Sequence, residues 1–224
     1  MAMGLSNAAP ARADLLTIPT GLSAGDQFRV LFISSARRDA TSSDIADYDR
    51  FIMDLAIAAG IDTYFGDPVS WQVLGSTAEV SAISRVGVDS PGLYEMNGVR
   101  VADNGADLWD GSIDNPILLD DTGAFRDGIV FTGTTANGES SFSGPLGGAA
   151  ILITELGFSS IVTTNRQWVT VGQGAATTAR SFYGVSSVLT VPDVPSSRVP
   201  EPTSLSLMAA GLLIAARRLR RVKV

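Results

Sequence analysis

The last 25 residues limit the fold before anything else does, because they do not suit a packed core. Val199-Pro200-Glu201-Pro202 leads into Thr203–Ala216, a 14-residue run without a charge, and then into Arg217, Arg218, Arg220, Arg221 and Lys223. Proline fixes φ and keeps the preceding residue out of the α region, so Pro200 and Pro202 hold the chain extended and exposed. The Leu/Ala-rich run (Leu205, Leu207, Met208, Leu212, Leu213, Ile214) has the composition of a helix that enters a bilayer. The arginines would stay on the cytoplasmic side. At 1.5 Å per residue the run covers about 20 Å, against a hydrocarbon core of roughly 30 Å. That is short for a permanent anchor, and it reads as a transient membrane segment. A buried core helix is the competing reading, and five basic residues in the last eight argue against it.

Setting the tail aside divides the chain. Residues 14–191 are expected to form one α+β domain, 192–199 a Pro/Ser-rich linker, and 200–224 the tail. Ala11-Arg12-Ala13 before Asp14 has the small-x-small form of a signal-peptidase site, yet the ten residues ahead lack a basic n-region and a full apolar core. Residues 1–13 are therefore read as the end of a longer signal peptide.

Charge and residue usage then narrow the chemistry. Before Pro200 there are 22 acids against 11 arginines, a net charge near −11. Such a surface repels nucleic acid and anionic membrane, and suits an exported protein or one that binds cations. The chain has no cysteine and no histidine, and Lys223 is its one lysine. Ser-His-Asp and Cys-His nucleophiles, the usual zinc sites and Schiff-base lysines are thereby excluded from the domain. Carboxylate chemistry is what remains.

Local patterns supply the elements. Phe28–Ser34 reads as a strand. Thr41-Ser42-Ser43-Asp44 offers N-cap residues for a helix carrying Ile45, Tyr48, Ile52, Leu55 and Ala59 at three- and four-residue spacing, closed by Gly60. Ser76-Thr77-Ala78-Glu79 has the capping-box pattern and predicts a second helix with Val80, Ile83 and Val86 on one face. Tyr94–Val101 is a hairpin candidate around Asn97-Gly98, whose composition suits a tight I′ turn. Further strands are predicted at Ile129–Thr132, Gln167–Val171 and Arg180–Val191. Two helices near the start, then strands and long loops, make an α+β fold.

Two resemblances rest on these residues. Pro200-Glu201-Pro202, the apolar run and the cluster Arg217, Arg218, Arg220 and Arg221 together resemble the PEP-CTERM sorting signal of Gram-negative bacteria. That resemblance implies recognition and processing by an exosortase, transient anchoring in the inner membrane, and delivery to the cell surface or exopolysaccharide matrix. The domain is similar to the C-type-lectin-like fold in its endostatin-like branch. The similar strings are Trp71 with Gly75-Ser76-Thr77, Tyr94–Ala102, Asp107–Ser112, Phe131–Thr134, Gly138, and Leu146-Gly147-Gly148. The cysteine pairs common in that fold are absent, as are the Glu-Pro-Asn and Gln-Pro-Asp triplets with which true C-type lectins hold calcium and sugar. The fold is implied; the sugar site is not.

Candidate chemistry concentrates in Asp103–Asp127, where seven aspartates are opposed by Arg126. Asp107, Asp110, Asp120 and Asp121 are candidate calcium ligands, since hard oxygens on a loop suit that ion. The spacing does not match an EF-hand, and Asp-Gly sequences are also ordinary turns. Trp109, between Asp107 and Asp110, is a candidate platform for a sugar ring, with core packing as its other role. A glycosidase would need two carboxylates across a cleft, and no pair stands out. No cofactor other than calcium is suggested.

The expected function is a non-catalytic binding or structural module of the exopolysaccharide (biofilm) matrix. It would contact polysaccharide or matrix proteins through the Asp103–Asp127 face and Trp109, and no nucleic acid. The alternatives are a carboxylate-dependent glycan hydrolase and a passive coat protein whose glycans and negative charge are its function.

Overall fold

Strand β1 (Gln27–Ile33) turns its side chains alternately into two interiors. Phe28, Val30 and Phe32 lie in one buried cluster, Leu31 and Ile33 in the other. A strand covered on both faces needs a nearly continuous apolar run, and this one has it apart from Arg29 and the exposed Gln27 at its start. The computed structural model describes residues 15–148 and 153–193. Residues 1–13, read as the end of a signal peptide, nearly all of the expected linker and the helix expected in the tail lie outside the described residues. The chain divides into units Met1–Pro192 and Asp193–Val224, and the secondary structure below belongs to the first.

Helix α1 (Ile45–Ala59) is capped as its sequence directs. The Asp44 side chain accepts from the Ala46 N–H at 3.0 Å, and Gly60 ends the helix at φ 75°. Tyr48, Ile52, Ala56 and Ala59 are buried on its inner face, whereas Leu55 is half-exposed. There follow β2 (Thr63–Tyr64), β3 (Asp67–Pro68), β4 (Trp71–Val73), α2 (Ala82–Val86), β5 (Leu93–Glu95), β6 (Arg100–Ala102) and α3 (Gly105–Leu108). The second half holds β7 (Gly128–Phe131), β8 (Ile153–Ser159), a 3-10 turn at Arg166–Trp168, β9 (Gly172–Ala175), β10 (Ser181–Ser186) and β11 (Leu189–Thr190).

The large sheet runs β6-β5-β1-β10-β7-β8-β9, with β11 also on β1 and β4 also on β10. β2 and β3 form a separate small ladder. The fold is mixed α+β: mostly strands, few helices, one large sheet. The expected run of antiparallel strands is corrected in two places, because β1 pairs β5 and β10 pairs β7 in parallel. One face of the sheet is covered by α1, the other by α2, α3 and the turn bearing Trp168. Helix and sheet meet at Gly184, where a Cβ would lie 2.7 Å from the Phe32 ring and 2.9 Å from Ile52 Cγ2. Among the described residues no helix is long and apolar enough to cross a membrane.

Three local expectations are corrected. Ser76 does not cap a helix at residue 77; α2 starts at Ala82 with Ser81 as its cap. Ser76 Oγ instead accepts from the Ala82 N–H at 2.9 Å and pairs with Thr134 Oγ1, tying α2 to the loop after β7. The Asn97-Gly98 connection is not a two-residue I′ turn. Only Gly98 is left-handed, at φ 82°, and Gly98 N donates to Glu95 O while Glu95 N donates to Val99 O, which makes a three-residue loop. Gln167–Val171 is not a strand: Asn165 caps the 3-10 turn there, and Trp168 O accepts from Tyr183 Oη.

Candidate functional site

The acidic segment is built of turns that consume their own carboxylates. Asn104 caps α3 by accepting from Asp107 N, and Asp107 Oδ2 accepts from Asp103 N at 2.7 Å. Asp110 Oδ1 accepts from both N and Oγ of Ser112. Asp114 takes the Arg100 Nε at 2.8 Å, and Arg100 also pairs with Asp103.

The two buried aspartates are more deeply engaged. Asp120, 2% exposed, accepts from Thr122 N and Oγ1, Ala124 N and the Arg126 guanidinium. Burial works against its charge, but the bonds from Thr122, Arg126 and Ala124 win and hold the carboxyl below its ordinary range. Asp121, also 2% exposed, points the other way and accepts from Ser35 N at 2.5 Å and Ser35 Oγ at 2.8 Å.

Asp107, Asp110, Asp120 and Asp121 thus each anchor a separate turn or crossing. Among the described residues no group of three His, Cys, Asp or Glu side chains gathers that could hold a metal ion. Trp109 is not a surface platform. It is 5% exposed, and its ring lies 5.6 Å from that of Trp168. Gly138 leaves the space it fills, since a Cβ there would come within 2.6 Å of the Trp109 ring.

Two glutamates outside the segment are buried as well. Glu95 accepts from Leu118 N and Leu119 N, and its burial pushes the carboxyl above the ordinary glutamate range despite those bonds. Glu155 is met by Thr170 Oγ1, Gln173 Nε2 and Ser141 Oγ. Both are satisfied structural acids.

The surface clefts separate acids from one another. One, of about 410 Å³, lies between the end of α1 and the Ser35–Asp121 corner, with Leu15 and Leu55 on its wall. Of four clefts among the described residues, three hold one carboxylate each (Asp121, Asp127 or Asp67) and one holds none. The acid-free cleft, about 220 Å³, is lined by Arg29, Ser70, Gln72, Arg85, Ser187 and Val188.

Its two arginines come from different elements. Arg85, on α2, donates through Nη2 to both Asp49 oxygens at 2.7 and 2.8 Å and to Gln72 Oε1 at 2.8 Å. Asp49 is fixed in turn by Val73 N. Arg29, on β1, donates through Nη1 to Ser186 O at 2.8 Å and forms no ion pair among the described residues. Arg29 Nε and Arg85 Nη1 are buried and have no hydrogen-bond partner among the described residues. Burial pulls the Arg29 guanidinium below its ordinary range. Sequence reasoning passed over this cleft, whose one local signal is an arginine inside an otherwise apolar strand.

No curated protein matches the chain. Residues 198–221 match the PEP-CTERM protein-sorting motif, so the chain carries the signal of an exported protein sorted by an exosortase.

Proposed function

We propose that the protein is a non-catalytic binding or structural module of the exopolysaccharide matrix, brought to the surface by its sorting signal. The observation that carries this reading is the motif at 198–221. A chain so marked is exported by a Gram-negative cell and processed by an exosortase, and the short apolar run holds it in the inner membrane only until then. The similarity of the domain's strings to the C-type-lectin-like fold belongs to the same proposal and supplies its binding character.

Residue chemistry supports a binder over a catalyst. Histidine, cysteine and domain lysine are missing, and a glycan hydrolase would need two carboxylates roughly 5–10 Å apart across one cleft. The four clefts described hold at most one each.

The test is co-sedimentation of the exported protein with the producer's own exopolysaccharide, in calcium and then in chelator. Binding in both buffers is the expected result. Binding lost on chelation would return the weight to Asp107, Asp110, Asp120 and Asp121. No binding in either buffer would overturn the reading in favour of a passive coat.

A further inference from the structure

We propose that the cleft between Arg29 and Arg85 binds an oxyanion group, with the carboxylate of an acidic sugar as its matrix source. The cleft rests on the matrix reading for that source alone. Its chemistry follows from the residues.

A half-buried cation is costly unless something anionic or strongly accepting faces it. Arg85 has such a group in Asp49, which neutralises it. Arg29 has a single carbonyl, that of Ser186, and no acid lines the cleft beside it. The unbalanced charge is therefore that of Arg29, at a concave surface where Ser70, Ser187 and Gln72 add polar groups.

Arg85 arrives already oriented. Asp49 and Gln72 hold its Nη2, and Asp49 is held by the backbone of β4, so little side-chain freedom remains to be lost on binding. A guanidinium offers donors in a planar fork that matches the two oxygens of a carboxylate or phosphate. Arg29 Nε and Arg85 Nη1 are buried without a hydrogen-bond partner among the described residues, so the fold leaves donor capacity on both guanidiniums unanswered. The volume of about 220 Å³ admits one charged group with part of a sugar ring, not a folded chain. Because the chain before Pro200 carries a net charge near −11, an anion is not drawn in from a distance and is held only by short-range contacts with the guanidiniums.

The experiment is calorimetric titration of the full chain with sodium glucuronate, inorganic phosphate and glucose, repeated on Arg29→Gln and Ser187→Asp. Ser187 Oγ accepts from Ser70 N, a bond an aspartate oxygen can also accept, so Ser187→Asp keeps the fold while placing a negative charge beside Arg29. The expected result is saturable binding of an anion, none of glucose, and a loss of at least about tenfold in affinity in both variants. Preference for glucuronate assigns a uronic acid; preference for phosphate assigns a phosphorylated ligand; either supports the site. No anion binding, or binding unchanged in Ser187→Asp with its melting temperature retained, overturns it. The titration does not use the producer's polysaccharide. Glucuronate bound by a chain that ignores polysaccharide would sink the matrix reading and leave the cleft standing, and the reverse pattern would do the opposite.

Discussion

The acidic segment and the arginine cleft are opposites in both density and engagement. Asp103–Asp127 crowds seven carboxylates into one stretch, and those of Asp107, Asp110, Asp114, Asp120 and Asp121 are occupied by neighbouring N–H groups, hydroxyls or arginines. The cleft has two charges from distant elements, and each keeps a buried N–H without a partner. Charge density along a chain therefore says little about where a ligand goes. Unmet hydrogen-bonding capacity says more, because a charge already answered by the fold has no reason to recruit anything else.

The largest effect that sharpens this contrast is expected for Asp120→Ala. It removes acceptors for Thr122, Ala124 and Arg126 together, and should cost about 3 kcal/mol in urea unfolding at neutral pH. The Asp120 carboxyl lies below its ordinary range in the fold. Its stabilisation is complete above about pH 4 and is lost as pH falls through the folded value, so the variant should show a flatter acid limb. An equal acid limb in both proteins would place acid sensitivity elsewhere.

Next comes Asp49→Asn, which keeps an acceptor for Val73 N but strips Arg85 of its counter-charge. A loss of about 2 kcal/mol is expected, together with tighter binding of glucuronate, because both guanidiniums then lack an acid. Unchanged glucuronate binding in this variant would break the comparison, since it would mean that Arg85 serves the fold alone.

Glu95→Gln should act in the other direction, by about 1 kcal/mol. The Glu95 carboxyl is raised by burial, so its contribution is fullest below about pH 4.3 and falls as pH rises through the folded value. The variant should be the more stable at pH 7 and converge on the wild type near pH 4, as thermal melts at the two pH values would show. Convergence at neutral pH instead would mean that the two backbone N–H bonds fully offset the desolvation.

The smallest effects belong to the exposed turn at Asp110. Asp110→Asn should change stability by less than about 0.5 kcal/mol, and millimolar calcium should move the melting temperature of the wild type by less than about 1 °C. A clear upward shift with calcium, lost in Asp110→Asn, would return a metal to the acidic segment.

What the sequence disclosed was local. α1 was legible at both ends because Asp44 and Gly60 act within a few residues of their partners. β1 was legible because a strand buried on both faces has little room for polar residues, and Phe28–Ile33 holds only Arg29. Ser76 misled, since its hydroxyl finds Ala82 and Thr134 rather than a following helical turn. Trp168 sits in a β-like string, yet the pocket under the sheet and the bond from Tyr183 Oη hold it in a 3-10 turn. β9 has the sequence Gly172-Gln173-Gly174-Ala175, and such a strand is recognised only by its pairing with β8. The cleft was illegible for the same reason. Arg29 and Arg85 meet only because β1, β4 and α2 converge, and no spacing rule spans that distance.

The position of β10 in the sheet sets an order of events during biosynthesis. Among the described residues β10 alone links β1 to β7, so without it the sheet is two fragments, β6-β5-β1 and β7-β8-β9, and β4 has no partner strand. It is also the last long strand among the described residues, ending at Ser186, 12 positions before the sorting motif begins. A chain leaving the translocation machinery N-terminus first thus carries open strand edges until β10 has crossed. The domain closes just as its address label emerges. Truncation before Ser181 would yield not a smaller domain but two unjoined half-sheets.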